Sequence, residues 1–149
     1  MIRIEKIAEN KKQFLDLLLL GDEQESMIDR YLDEGELFAL YDENLRAICV
    51  VNHVDDTTCE LKNIAVYKKY QREGYGTFFI NYLFDYYRNR YKTVILGTGE
   101  VPSILSFYKG CGFNYSHRIK NFFTDNYDHI IIEEGVQLVD MVYLKKDLK

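Results

Sequence analysis

Asn63-Ile64-Ala65-Val66-Tyr67-Lys68-Lys69-Tyr70-Gln71-Arg72-Glu73-Gly74-Tyr75-Gly76-Thr77 is the stretch on which the fold turns. It opens as an apolar strand end and closes with two glycines, two apart, where a helical pattern begins. Glycine lets the backbone turn tightly and approach a ligand with no Cβ in the way. A helix start aims unpaired N–H groups at the same spot, with a dipole worth about +0.5 charge. Together these form an anion site suited to phosphate or pyrophosphate. Lys68, Lys69 and Arg72 add positive charge at this one place in an acidic chain. A plain loop would use its glycines only to relieve strain; the flanking strand, the basic residues and the helix favour phosphate.

The strand leading into this loop, Thr57 to Tyr67, has a break in its pattern. Apolar residues fall at Cys59 and Leu61, then at Ile64 and Val66, so the period of two slips by one between them. A slip of one residue sends half of a strand's apolar side chains to the wrong face. A β-bulge near Lys62-Asn63 restores the pattern and bends the strand; burial on both faces would also tolerate the slip. The bulge is expected.

On the N-terminal side, Met1 to Ile7 alternates like a half-buried strand. Gln13 to Leu20 and Ser26 to Leu32 follow as two short helices separated by Gly21-Asp22, then come strands at Glu36 to Tyr41 and Leu45 to His53. On the C-terminal side, Thr77 to Arg90 takes a helical period with Phe79, Leu83, Tyr86 and Tyr87 on one face. Thr93 to Leu96 is a short apolar strand of the kind buried in a parallel sheet. Ser103 to Gly110 is a helix after Pro102. Cys111-Gly112-Phe113 leads into a further strand, and Gln137 to Leu144 is the last. Residues 119–136 carry no clear pattern except a turn at Glu134-Gly135. The order is β-α-α-β-β-β-α-β-α-β-β, a single mixed α/β domain over residues 1–149. A right-handed crossover through residues 77–90 lays strand 57–67 parallel to strand 93–97.

Composition narrows the class. The 149 residues carry 19 Lys and Arg against 24 Asp and Glu, a formal charge of −5. Nucleic-acid binders usually present a basic surface, so nucleic acid is not an expected partner. The longest apolar run, Phe14 to Leu20, is interrupted by Asp16 and is far short of the roughly 20 residues that span a bilayer. No secretory signal pattern opens the chain. Cys49, Cys59 and Cys111 are widely spaced with no CxxC pair, and read as reduced thiols of a cytoplasmic protein. His53, His117 and His129 lack ligand spacing, so no metal is expected.

The segment Asn63 to Gly76 resembles the acetyl-CoA-binding motif of the GNAT superfamily of N-acetyltransferases: an apolar strand end, then Gln/Arg-x-x-Gly-x-Gly at a helix start. The run Ser106-Phe107-Tyr108-Lys109-Gly110-Cys111-Gly112-Phe113 is similar to the family's second common segment, a helix ending in Tyr-x-x-x-Gly-Phe. The element order matches the family fold, whose bulged strand splays from its parallel neighbour; the resemblance covers nearly the whole chain and is closest to small bacterial members. It implies that backbone groups of Ile64, Ala65 and Val66 pair with the pantetheine arm. It also implies that N–H groups of Gln71, Arg72, Glu73, Gly74, Tyr75, Gly76 and Thr77 hold the pyrophosphate. Many members carry Asn about seven residues before the tyrosine; here that position is Val101, leaving Ser103 or Ser106 as substitutes.

The same resemblance assigns the chemistry. Tyr108 matches the tyrosine near the CoA sulfur, where a phenol can donate to the departing thiolate. The attacking amine must shed a proton, and Glu60 matches a position used as general base in some branches; others use a water chain. Between Asp22 and Glu36 lie seven acids against the single base Arg30. In GNAT folds the first two helices wall the acceptor site, so Asp22, Glu25 and Asp29 would attract a cationic amine; a solvated helix face is the plainer reading. The expected activity is direct, ternary-complex transfer of acetyl from acetyl-CoA to the primary amine of a small, cationic acceptor. A non-catalytic acyl-CoA sensor or partner subunit is the alternative. The partners expected are that small molecule and, as one possible assembly, a second copy; a membrane is not among them.

Overall fold

The computed structural model describes residues 1–148. Seven strands form one mixed sheet: β1 (Ile2–Ile7), β2 (Glu36–Asp42), β3 (Asn44–Asp55), β4 (Thr58–Val66), β5 (Thr93–Gly99), β6 (Asn114–Ile119) and β9 (Met141–Asp147). Their spatial order is β1-β2-β3-β4-β5-β9-β6. Every neighbouring pair is antiparallel except β4 and β5. The helices are α1 (Leu15–Gly21), α2 (Glu25–Ile28), α3 (Tyr75–Tyr87), α4 (Pro102–Gly110) and α5 (Phe122–Asn126). A small hairpin of β7 (Ile132–Glu133) and β8 (Val136–Gln137) stands apart.

The sheet is covered on both faces. Phe38, Leu40, Cys49, Cys59 and Leu61 pack with Phe79, Leu83 and Tyr87 of α3. Leu37, Ala39, Ile48 and Val50 pack instead with Leu17 and Leu18 of α1 and Ile28 of α2. This double burial explains the unbroken apolar runs in β2 and β3. No helix among the described residues is long and apolar enough to cross a membrane.

The bulge falls where the apolar slip located it. Val50 pairs with Asn63 and Val51 with Leu61, so Lys62 is the extra residue. Cys59 and Leu61 before it, and Ile64 and Val66 after it, all pack in the α3-side core. Ala65 joins the α1-side core. The bulge thus keeps four apolar side chains on one face across a break in register.

Several boundaries differ from those read in the sequence. The first helix begins with a 3₁₀ turn, Lys11–Phe14, before α1. The helix expected over Ser26 to Leu32 is regular only through Ile28, then continues as turns to Gly35. Helix α3 starts at Tyr75, two residues early, because Gly74 at φ 90° caps it, and Tyr86 on its expected buried face is exposed. The last strand runs Met141–Asp147 rather than 137–144. Gln137 pairs in the β7–β8 hairpin instead, and Leu138 turns inward onto Val101, Phe123 and Ile131. The turn at Glu134-Gly135 is present, both residues having positive φ.

Asn63 fastens α1 to the bulge. Its Nδ2 donates to Leu18 O at 3.0 Å and to Tyr31 Oη at 3.1 Å. A Cβ on Gly21 would lie 2.0 Å from Asn63 Oδ1, so only glycine lets α1 close on the strand. Gly21→Ala is expected to lower stability by about 1–3 kcal/mol, the cost of disturbing buried hydrogen-bonded groups. Chemical denaturation measures this, and in an Asn63→Ala background the alanine should cost less. Additive effects of the two changes would show that they do not share this contact.

Candidate active site

The parallel ladder between β4 and β5 ends at Leu61 opposite Leu96. Beyond it, and past the bulged Lys62, residues 63–66 of β4 keep their pairing to β3 but have none to β5. A strand edge without a partner leaves backbone donors and acceptors free for an extended ligand. A cleft opens in this gap, walled by Asn63, Ile64, Leu96, Gly97, Tyr108 and Asp22.

After β4 a 3₁₀ turn over Lys68–Tyr70 leads to Gln71, whose Nε2 donates to Val66 O at 3.0 Å. Arg72 and Gly74 take positive φ, 66° and 90°. A Cβ built on Gly74 meets nothing within 4 Å, so there the backbone angle and not crowding requires glycine. The first backbone bond of α3 runs from Phe78 N–H to Gly74 O at 3.0 Å. The amides of Tyr75, Gly76 and Thr77 therefore face out of the helix end. Glu73 is exposed in the same turn. The turn is buttressed by the Arg46 guanidinium, 3.8 Å above the Tyr70 ring, and by the Tyr75 hydroxyl on Asp42 at 2.7 Å. Gly76 allows α4 to approach, since a Cβ there would lie 3.2 Å from the Phe107 ring.

Tyr108 projects from α4 into the cleft, packed edge-on against Phe107 and Phe113. Burial, with Cys111 nearby, pushes its phenol up to about 12, so it stays protonated near neutral pH. Val101, at the N-cap of α4, is buried with Phe123, Ile131 and Leu138. Ser103 is exposed, and its hydroxyl donates to Glu134 at 2.7 Å. Ser106 is also exposed.

A second cleft adjoins the first, sharing Asp22, Leu61, Lys62, Gly97, Tyr127 and Met141 with it. Glu60 lines this second cleft. It is 8% exposed, accepts from the Tyr143 hydroxyl at 2.9 Å and pairs with Lys62 at 3.2 Å. Asp22 accepts from the hydroxyls of Tyr31 and Tyr127. Burial raises its carboxyl, against the lowering effect of those two bonds and of the Lys62 charge.

Glu25 and Asp29 are exposed, both paired with Lys12 at 2.7 Å, and line neither cleft. The structure therefore brings Asp22, Glu60 and Tyr108 to adjoining clefts and leaves Glu25 and Asp29 outside both. Tyr31 and Tyr143 carried no signal in the sequence, because they meet Asp22 and Glu60 only through the fold. Glu133 joins the first cleft from the hairpin, with its carboxyl raised by burial and by neighbouring Glu23 and Glu134. A wider open groove near Arg88 and Lys146 shares no residue with these clefts.

Residues 5–113 match the model of the acetyltransferase (GNAT) family. An uncharacterized N-acetyltransferase of Bacillus subtilis (strain 168), YvbK, is 35% identical, over 99% of this chain and 97% of that one. A GNAT family acetyltransferase from Elizabethkingia anophelis, solved with acetyl-CoA bound, is 35% identical with a TM-score of 0.93, covering 98% and 97% of the two chains. A Bacillus subtilis acetyltransferase in complex with CoA is 33% identical with a TM-score of 0.90, covering 100% of both. Sequence and fold agree along its length, and the chain belongs to the GNAT family of acetyltransferases.

Proposed function

We propose that the protein transfers the acetyl group of acetyl-CoA to the primary amine of a small, cationic acceptor by direct attack within a ternary complex. The observation that carries this reading is the pair of clefts meeting at the point where β4 and β5 part. Tyr108 walls one, Glu60 the other, and Asp22 both. The relatives solved with acetyl-CoA and with CoA support the donor.

In this reading the open β4 edge at Ile64, Ala65 and Val66 pairs with the pantetheine arm. The amides from Gln71 through Arg72, Glu73, Gly74, Tyr75 and Gly76 to Thr77 cradle the pyrophosphate at the start of α3. Ser103, on the first turn of α4, takes the pantetheine contact that Val101 cannot make, at the expense of its bond to Glu134. Backbone N–H of β4 polarises the thioester carbonyl, as an oxyanion site does. Tyr108 donates to the departing thiolate.

The proton of the amine passes to a carboxylate of the acceptor cleft, which holds Glu60 and Asp22. Glu25 and Asp29 add negative potential at the rim, where solvent and Lys12 weaken it. A cytoplasmic setting suits three free thiols and a donor of this kind.

Tyr108→Phe is expected to lower kcat about 100-fold while leaving the calorimetric Kd for acetyl-CoA within twofold. Loss of binding instead would make the tyrosine structural. Because its phenol is raised to about 12, a proton-donating Tyr108 keeps its proton and stays neutral well onto the alkaline side. The wild-type rate should therefore not fall between about pH 7 and 10; a descending limb there would contradict this donor. Gly74→Val places a branched side chain at φ 90°, where L-residues are strained. It should weaken acetyl-CoA binding at least tenfold by distorting the cradle, and unchanged affinity would move the pyrophosphate elsewhere.

A further inference from the structure

Asp22 differs from every other carboxylate around the clefts. It lines both of them, whereas Glu60 lines only the acceptor cleft and Glu133 only the thioester cleft. Glu60 already has a cation, Lys62, and a phenol, Tyr143. Among the described residues Asp22 takes part in no ion pair. Its side-chain partners are two tyrosine hydroxyls, one on each oxygen. Lys62 acts on it only from beyond ion-pair distance, and a half-buried carboxylate with no cation in contact is costly unless one arrives to meet it. A carboxylate has about four acceptor positions, and the two phenols occupy two of them.

We propose that Asp22 is the catalytic residue that receives the acceptor's ammonium group beside the thioester and takes its proton before attack, with Tyr31, Tyr127 and Asn63 as its positioning residues. The inference rests on the acetyl-transfer reading above and assigns its proton acceptor.

Asn63 Nδ2 donates to Tyr31 Oη, which turns the Tyr31 proton toward Asp22 Oδ2 at 3.0 Å. Tyr127 donates to Oδ1 from the opposite side. The carboxylate is thus gripped at both oxygens while it lines both clefts. The rings of Tyr31 and Tyr127 also line the acceptor side, and such faces favour a cation. The charged and titratable groups around Asp22 are Glu23 beside it, Arg30 and Tyr31 after α2, His53 on β3, Glu60 and Lys62 on β4, Tyr108 on α4, Tyr127 after α5, Glu133 on β7 and Tyr143 on β9.

The step balances as follows. Asp22 takes one proton from R–NH3+, and the free amine attacks the thioester carbon, forming the C–N bond. The C–S bond breaks, and the thiolate takes a proton from Tyr108. Tyr108 regains one from the nitrogen, which ends as an amide with a single hydrogen. Asp22 releases its proton to solvent. Two protons leave the ammonium nitrogen, one to solvent and one to the thiol. The burial that raises the Asp22 carboxyl improves it as a base.

The test measures thiol release from acetyl-CoA with n-butylamine, phenethylamine and spermidine as acceptors, alongside calorimetric titration with acetyl-CoA. Asp22→Asn should lower kcat/KM for an accepted amine about 100-fold, with the acetyl-CoA Kd within twofold. Tyr127→Phe keeps the carboxylate but removes a bond that favours its charged form, so the acid limb of kcat/KM should move to higher pH. The amine's own ionisation is common to both enzymes and cannot cause that shift. In Glu60→Gln the acid limb should persist, whatever the rate. An Asp22→Asn enzyme within threefold of wild type, or an acid limb that disappears with Glu60→Gln, overturns the assignment and leaves acetyl transfer standing. If wild type releases no thiol with any of the three amines, the amine-acceptor reading falls and this assignment with it.

Discussion

The single extra residue in β4 organises most of what this protein can do. Without Lys62 as a bulge, Ile64 and Val66 would turn away from the core that holds Cys59 and Leu61. Burying an apolar side chain is worth about 1.5–3 kcal/mol, so misplacing two would forfeit much of a typical domain's stability of about 5–15 kcal/mol. The bulge is therefore enforced by the core. It bends β4, and the parallel ladder to β5 stops at Leu61 and Leu96. One packing requirement thus produces an open strand edge in the centre of a sheet, which exposed edges normally occupy only at its margins.

Around that opening the chain arranges charge and proton in opposite ways. On the α4 side Tyr108 is a phenol held firmly protonated by its apolar surroundings. On the α1 side Asp22 is a carboxylate with tyrosine hydroxyls where an arginine or lysine would ordinarily sit. Burial raises both groups, and it is the wide intrinsic gap between a phenol and a carboxylate that leaves one as the proton holder and the other as the acceptor. The phenols also join separate parts of the chain: Tyr127 and Asp22 are 105 residues apart, and Asp128 N–H reaches Gln24 at 3.0 Å. The segment after β6 is thereby tied to the loop between α1 and α2 across the cleft that Glu60 lines.

Legibility in the sequence followed the range of the forces involved. The glycine turn before α3, the proline at the start of α4 and the strand slip at Lys62 are local, and each was readable from a few neighbouring residues. Residues 119–136 were not, because α5 and the β7–β8 hairpin are held by a separate apolar cluster with Val101 and Leu138. The last strand was misplaced for the same reason: Leu138 continues an apolar pattern but is consumed by that cluster, and β9 starts only at Met141. The acidic run from Asp22 to Glu36 was visible as charge, yet charge alone could not separate Asp22 from Glu25 and Asp29. Lys12, on the preceding 3₁₀ turn, neutralises the latter two at 2.7 Å and leaves Asp22 without an ion pair.

The sequence by itself determined the order of the main-sheet strands and of α1 to α4, the bulge, the glycine turn at the start of α3 and the tyrosine of α4, and with them the family. Each of these depends on backbone preference or on periodic burial, which act over a few residues. Only the tertiary structure decided which carboxylates and phenols share a cleft, since Asp22, Glu60, Tyr127 and Tyr143 converge from four separate segments. Burial raises Asp22, and burial together with hydrogen bonding to distant residues raises Tyr127 and Tyr143; neither exists until the sheet has closed around them.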